Sequence, residues 1–226
     1  MLRAVLFDLD GTLADTERQC AEAIARVLRR YGRVMTDAER AFVIGRGWRE
    51  VYAHLAEGGA LPLALEALMA EAGGERERLV DEEGLLVLPG AVELLRAAAA
   101  AAAVGVVSGS SRGEIAACLR RLGVAPAPLY VGAEDVRRGK PAPDGYLLAL
   151  ERLGVAAHEA VAIEDSSAGI AAALAAGLAV VAVRAGNFAG QDQRAAHHVV
   201  ETLAEIDLRA LSTLRAATQD LRRGAR

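Results

Sequence analysis

Short apolar runs at residues 3–8, 103–108, 128–132, 159–163 and 178–183 alternate with segments of helical periodicity at about 90–101, 111–122, 143–153 and 167–176. Several of these runs lack polar alternation, which suits strands buried on both faces. Their alternation with helices points to a parallel sheet covered by helices. The predicted fold class is therefore α/β, a Rossmann-like doubly wound parallel sheet. Gly177 stands where a helix should stop and Pro143 where one can start. The alanine run 97–103 reads as the end of a helix feeding a strand, because alanine is the best helix former.

Residues 15–85 break the rhythm. Strand signals are few there, whereas "ERQCAEAIARVLRRYG" and "LALEALMAEAGGERERL" read as helices. The predicted organisation is a core of residues 1–14 and 86–226, interrupted at 15–85 by a small all-helical domain with hinges near 13–16 and 84–89. The final stretch, "ALSTLRAATQDLRRGAR", reads as a helix running into a basic tail.

Bulk charge narrows the partners. A net charge of −4 gives no general attraction to nucleic acid or anionic membranes. No apolar run reaches the roughly 18–20 residues that span a bilayer. The first apolar stretch is interrupted by Asp8 and has no signal-peptide character. Cys20 and Cys118 form no metal-spaced pair. The expectation is a cytoplasmic monomer with reduced thiols that binds neither nucleic acid nor membrane. One bias stands out: of 26 lysine and arginine residues, only Lys140 is a lysine.

In a parallel sheet, ligands bind beyond the carboxyl ends of the strands. The first run delivers Asp8 and Asp10 there. The second delivers Ser108 and Gly109 in "VVSGSSR", and Lys140 follows the third in "RRGKPAPDGY". The fourth ends in Glu164 and Asp165 in "AIEDSSAGI". Asp8, Asp10 and Asp165 cannot sit together ionised unless a cation joins them. A hard divalent ion with oxygen ligands fits, and Mg²⁺ favours few carboxylates plus a substrate phosphate. Lys140 adds positive charge, while Ser108 and the backbone N–H groups of its glycine-containing turn suit phosphate oxygens. The set reads as a phosphoryl-transfer site, in which an aspartate can itself be the nucleophile. Each motif alone has a plainer reading: a polar turn at "DLDG", a helix cap at Glu164–Ser167, a solvated Lys140, a turn hydrogen bond at Ser108. Their recurrence at four strand ends of one sheet carries the functional reading. Within the insertion, Arg46, Trp48 and Arg49 in "IGRGWRE" are the candidate substrate-facing residues, against a plainer reading in which Trp48 packs on a core. The glycine-rich "GNFAGQDQ" at 186–193 lies near the rim without an assigned role.

"FDLDGTLADTE", "VVSGSS", "GKPAPDGY" and "IEDSSAGI" resemble, in order, the four motifs of the haloacid dehalogenase superfamily, in its phosphatase and β-phosphoglucomutase-like branch. The insertion resembles that branch's α-helical cap. The resemblance implies that Asp8 is the nucleophile and Asp10 the general acid/base, with its main-chain carbonyl a metal ligand. It implies Asp165 as the second metal carboxylate, Glu164 as a nearby or water-mediated one, and Ser108 with Lys140 as the phosphate-binding pair. Mg²⁺ is the implied cofactor, and a cap that opens and closes is the implied motion. Asp10 separates the chain from the dehalogenases, which lack that second aspartate. The insertion has no lysine, unlike the caps of phosphonate hydrolases and β-phosphoglucomutases, and Cys20 stands where the mutases carry a histidine. The expected function is a Mg²⁺-dependent phosphatase for a small phosphorylated metabolite, of sugar-phosphate or phosphoglycolate type, acting through an aspartyl-phosphate. The alternative is a sugar phosphomutase using the same intermediate.

Overall fold

The computed structural model describes residues 1–124 and 128–211. The helix and basic tail read for the last seventeen positions lie almost wholly outside the described residues. The chain divides into two compact units, Met1–Ala14 with the chain from Val87 onward, and Asp15–Leu86. The strands are β1 (Ala4–Phe7), β2 (Ala103–Val107), β3 (Leu129–Val131), β4 (Ala160–Glu164), β5 (Ala179–Val183) and β6 (His198–Val200). The α-helices among the described residues are α1 (Thr16–Arg30), α2 (Asp37–Val43), α3 (Trp48–Glu57), α4 (Leu65–Glu83), α5 (Ala91–Ala101), α6 (Arg112–Leu122), α7 (Asp144–Leu153) and α8 (Ser167–Ala175).

The first unit is a six-stranded, all-parallel sheet in the order β3-β2-β1-β4-β5-β6 with surrounding helices. This is the doubly wound order, and its direction of winding reverses between β1 and β4. There Phe7 lies opposite Ile163, and the ladder continues one residue further as Asp8 N–H donates to the Ile163 carbonyl at 2.9 Å. Asp8 and Glu164 therefore leave the sheet side by side. Leu6, Ala162, Val180, Tyr146, Ile170 and their neighbours form a buried apolar core. The edge strand β6 is absent from the sequence-based prediction. Three residues, the first of them exposed, carry no readable period, and pairing with β5 makes them a strand.

The second unit has its own core. Ile24, Val27 and Leu28 of α1 are buried with Leu68 and Ala72 of α4 and with Val43, Val51 and Leu55 of α2 and α3. Asp15 caps α1, accepting from the Arg18 N–H at 3.1 Å and pairing with the Arg18 side chain. Thr36 and Glu39 form a capping box that starts α2. The helices α2 and α3 are short and lie either side of Gly45 and Gly47, so their period is weak in sequence. Cys20 and Cys118 are not joined in a disulfide. No helix among the described residues is long and apolar enough to cross a membrane.

Two glycines in the first unit separate backbone strain from close packing. Gly90 begins α5 with φ +84°, and a Cβ there would lie 2.3 Å from the Ala204 nitrogen. Gly154 ends α7 with φ +63° and open space around it. Gly154→Ala should cost about 1–2 kcal/mol, the strain of a left-handed residue alone. Gly90→Ala should cost about 2–3 kcal/mol more, because backbone must move as well. Urea unfolding of the two variants measures the difference, and equal losses would contradict the packing assignment.

Candidate active site

Asp8 is almost completely buried, and among the described residues the cation beside it is Lys140. The Lys140 ammonium donates to Asp8 Oδ1 and, at 2.6 Å, to Glu164 Oε1. Asp8 Oδ2 is buried without a hydrogen-bond partner. Oxygens of Asp8, Glu164 and Asp165 all lie within 4.8 Å of one another. Burial pushes the Asp8 carboxyl up from 3.8 to about 8; Lys140 opposes this, while Glu164 and Asp10 add to it. Burial also works against the Lys140 charge, but Asp8 and Glu164 outweigh it and hold the ammonium well above the ordinary lysine range. The pattern is a site with more negative charge than its one lysine can balance.

Asp10 is oriented by two hydroxyls. Ser108 Oγ and Ser110 Oγ donate to its Oδ2 at 2.6 and 2.8 Å, and the Ser110 N–H donates to Ser108 Oγ at 2.9 Å. Gly109 between them has nothing within 4 Å of where a Cβ would stand, so the turn is open on that side. A cavity of about 170 Å³ is lined by Ser108, Gly109 and Lys140, with Gly145 and Tyr146 among its other walls.

Asp165 and Glu164 are held by glycines and by a loop. A Cβ on Gly11 would lie 2.4 Å from Asp165 Oδ2, and one on Gly169 would lie 2.0 Å from the Glu164 carboxyl group. Gly186 approaches so closely that a Cβ would stand 1.5 Å from the Gly11 carbonyl oxygen. Thr12 Oγ1 donates to Asp165 Oδ1 at 3.2 Å, and the buried Gln193 side chain donates to the main-chain carbonyls of Asp165 and Val183 at 2.6 and 2.8 Å. Gln191 accepts from both the N–H and the hydroxyl of Ser167. The loop at 186–193, left without a role by the sequence, thus buttresses the end of β4.

The structure brings Asp8, Asp10, Ser108, Gly109, Lys140, Glu164 and Asp165 to one rim of the first unit. Arg46, Trp48 and Arg49 belong to the second unit. Arg46 is engaged locally: its guanidinium lies 4.0 Å from the Phe42 ring centroid, pairs with Glu50 at 2.9 Å and donates to the Phe42 carbonyl at 3.1 Å. Trp48 is half-buried against the second core, and Arg49 is exposed. Sequence reading missed Thr12, Ser110, Tyr146 and Gln193. All four sit inside quoted stretches, Tyr146 as the last residue of "GKPAPDGY" and Gln193 as the last of "GNFAGQDQ". Tyr146 looks like any apolar residue on the inner side of a helix, and Gln193 acts through a fold-back no local pattern announces.

Comparison with known proteins agrees with this geometry. A family model described as haloacid dehalogenase-like hydrolase matches residues 2–177. The chain is 36% identical over 186 residues to hexitol phosphatase A of Escherichia coli (strain K12), covering 81% of this chain and 83% of that one. It is 34% identical over 211 residues to validoxylamine A 7'-phosphate phosphatase of Streptomyces hygroscopicus subsp. limoneus, covering 92% of each. The crystal structure of a CbbY variant from Rhodobacter sphaeroides in complex with xylulose-(1,5)bisphosphate matches with a TM-score of 0.79 at 26% identity, over 93% of this chain and 99% of that one. A family match over residues 2–177, which spans every rim motif, places this chain in the haloacid dehalogenase-like hydrolase family.

Proposed function

We propose that the protein is a Mg²⁺-dependent phosphatase that hydrolyses a small phosphate monoester of sugar-phosphate type through an aspartyl-phosphate on Asp8. The observation that carries this reading is the Asp8 carboxylate, anchored at Oδ1 by Lys140 and bare at its buried Oδ2. A buried oxygen without a partner is costly unless a ligand or reactant meets it. The donors fit Mg²⁺: they are oxygens, they are clustered, and they carry an excess of negative charge. Asp8, Asp165 and the main-chain carbonyl of Asp10 would hold the ion, which supplies charge neutralisation to the transferring phosphoryl group.

In the reaction so proposed, a carboxylate oxygen of Asp8 attacks phosphorus in line. The bond to the leaving oxygen breaks, and Asp10, held by Ser108 and Ser110, gives that alkoxide a proton. Asp10 then takes a proton from water as it attacks phosphorus, and the Asp8–phosphorus bond breaks to release phosphate. Lys140 neutralises the equatorial oxygens throughout. Ser108 turns its hydroxyl from Asp10 to a phosphate oxygen. Water as the final acceptor is favoured over a sugar by the absence of any lysine from the second unit and by Cys20 in place of a histidine. The names of the two phosphatase relatives support the same acceptor. Of the residues proposed for substrate selection, Arg49 stands ahead of Arg46, whose charge is taken up by Glu50 and Phe42, and of Trp48, which packs on the second core.

A phosphate-release screen over small phosphate esters should show turnover with Mg²⁺ and none after chelation; metal-independent release would overturn the proposal, and recovery of an isomeric sugar phosphate would make it a mutase. Asp8→Asn should abolish turnover, and Lys140→Ala should lower kcat by about 10²–10³-fold, as loss of a charge-stabilising group does. A second expectation concerns pH. Because the folded-state value for Asp8 is raised, the metal-free protein holds a proton there that the unfolded chain has lost above about pH 4. Stability contributed by that proton is complete below pH 4 and is lost as pH rises through about 8. Thermal unfolding of the metal-free protein should show this decline, Mg²⁺ should raise Tm most at the alkaline end, and Asp8→Asn should flatten the profile. An unchanged profile in that variant would assign the pH dependence elsewhere.

A further inference from the structure

Tyr146 lies on α7, is fully buried, and has no place in the reaction described above. Its hydroxyl donates to Glu164 Oε1 at 2.6 Å, the same oxygen that accepts from the Lys140 ammonium at 2.6 Å. The ammonium also lies 5.5 Å from the centroid of the Tyr146 ring, within cation–π reach. The other Glu164 oxygen is taken by the Ser166 hydroxyl at 3.2 Å. Gly169 closes the remaining side, since a Cβ there would overlap the carboxyl group. Glu164 is thus fully enclosed, with a hydrogen bond to each oxygen. A carboxylate bound in this way is spent on organising its neighbours.

We propose that Tyr146 is a positioning residue: it fixes Glu164 as the counter-ion of Lys140, and through Glu164 sets where the ammonium meets Asp8. The ring and the hydroxyl act together. The ring gives the ammonium a face to rest on, and the hydroxyl keeps the shared carboxylate oxygen from following the ammonium. On this view the bond from Tyr146 to Glu164 acts on Lys140. This inference rests on the phosphatase reading for its kinetic consequence, but not for its structural one.

The chain's single lysine makes the test direct. Protein labelled with ¹³Cε-lysine, carrying no lysine-bearing tag, reports Lys140 as one resonance. Tyr146→Phe keeps the ring and removes only the hydroxyl. The signal should shift or broaden in this variant and in Glu164→Gln, with Tm within a few degrees of the parent for Tyr146→Phe. In Tyr146→Phe, Mg²⁺ affinity, measured by calorimetry on substrate-free protein, should change less than about twofold. The kcat for phosphate release should fall about 10- to 100-fold with KM little changed, the range seen when a supporting partner is lost. An unmoved lysine signal would overturn the proposal. So would a loss of Mg²⁺ affinity in Tyr146→Phe large enough to account for the fall in kcat, because Tyr146 would then be acting through the metal. If the parent protein released no phosphate from any ester, the phosphatase reading would fail, while the lysine signal would still decide the role of Tyr146.

Discussion

Three carboxylates, from Asp8, Glu164 and Asp165, cluster in a place that water hardly reaches, with one ammonium bridging the first two, and the rest of the first unit can be understood as what makes this tolerable. Each buried ion forfeits several kcal/mol of hydration, which its partners must offset. Lys140 offsets part of it by bridging Asp8 and Glu164. The remainder shows in the raised proton affinity of Asp8 and in its bare Oδ2. A stable fold and a site avid for a cation are therefore the same fact. Burial and the neighbouring carboxylates raise the proton affinity of Asp8, and the proposed Mg²⁺ ion would supply the missing positive charge.

Such a cluster needs backbone geometry that side chains alone cannot give. Parallel pairing of β1 with β4 puts Asp8 beside Glu164 because the register carries on past Phe7 and Ile163. The winding reversal between these strands leaves the crevice above them open, where ligands of such sheets bind. Close approach then requires glycine three times. Gly11 makes room for Asp165, Gly169 for Glu164, and Gly186 for the Gly11 carbonyl. The last contact ties the loop after β5 to the turn after β1, so the Gln193 bonds to Asp165 and Val183 are set by the same packing.

The sheet, its helices and the helical nature of the insertion were legible because they rest on period and on the placement of glycine and proline. The convergence of Asp8, Asp10, Ser108, Lys140 and Asp165 was legible because topology sends all strand ends to one rim. What escaped has a common cause. Strand β6 exists only through its partner, and Tyr146 and Gln193 act only through residues far away in sequence. Short helices such as α2 and α3 hold too few turns to declare a period. Arg46 shows the opposite case: a charged residue in a promising motif is engaged by its neighbours Phe42 and Glu50. Sequence reports which chemistry is present, and contact decides which of it is free.

The composition bias acquires a physical meaning at Lys140. Arginine serves this chain on its surface, where planar forks meet Asp135, Asp144 and Asp192. At residue 140 the cation must reach Asp8 and Glu164 at once and lie over the Tyr146 ring, in a space walled by Val107, Gly145 and Val131. A compact ammonium with three rotatable donors can do this from one point. A guanidinium spreads its charge over a plane, and matching two carboxylates that approach from different directions would force it off both. The same compactness leaves a donor to follow an incoming phosphoryl oxygen without breaking the bridge to Glu164. A lysine here is what lets one cation bridge Asp8 and Glu164 and then take part in the proposed reaction.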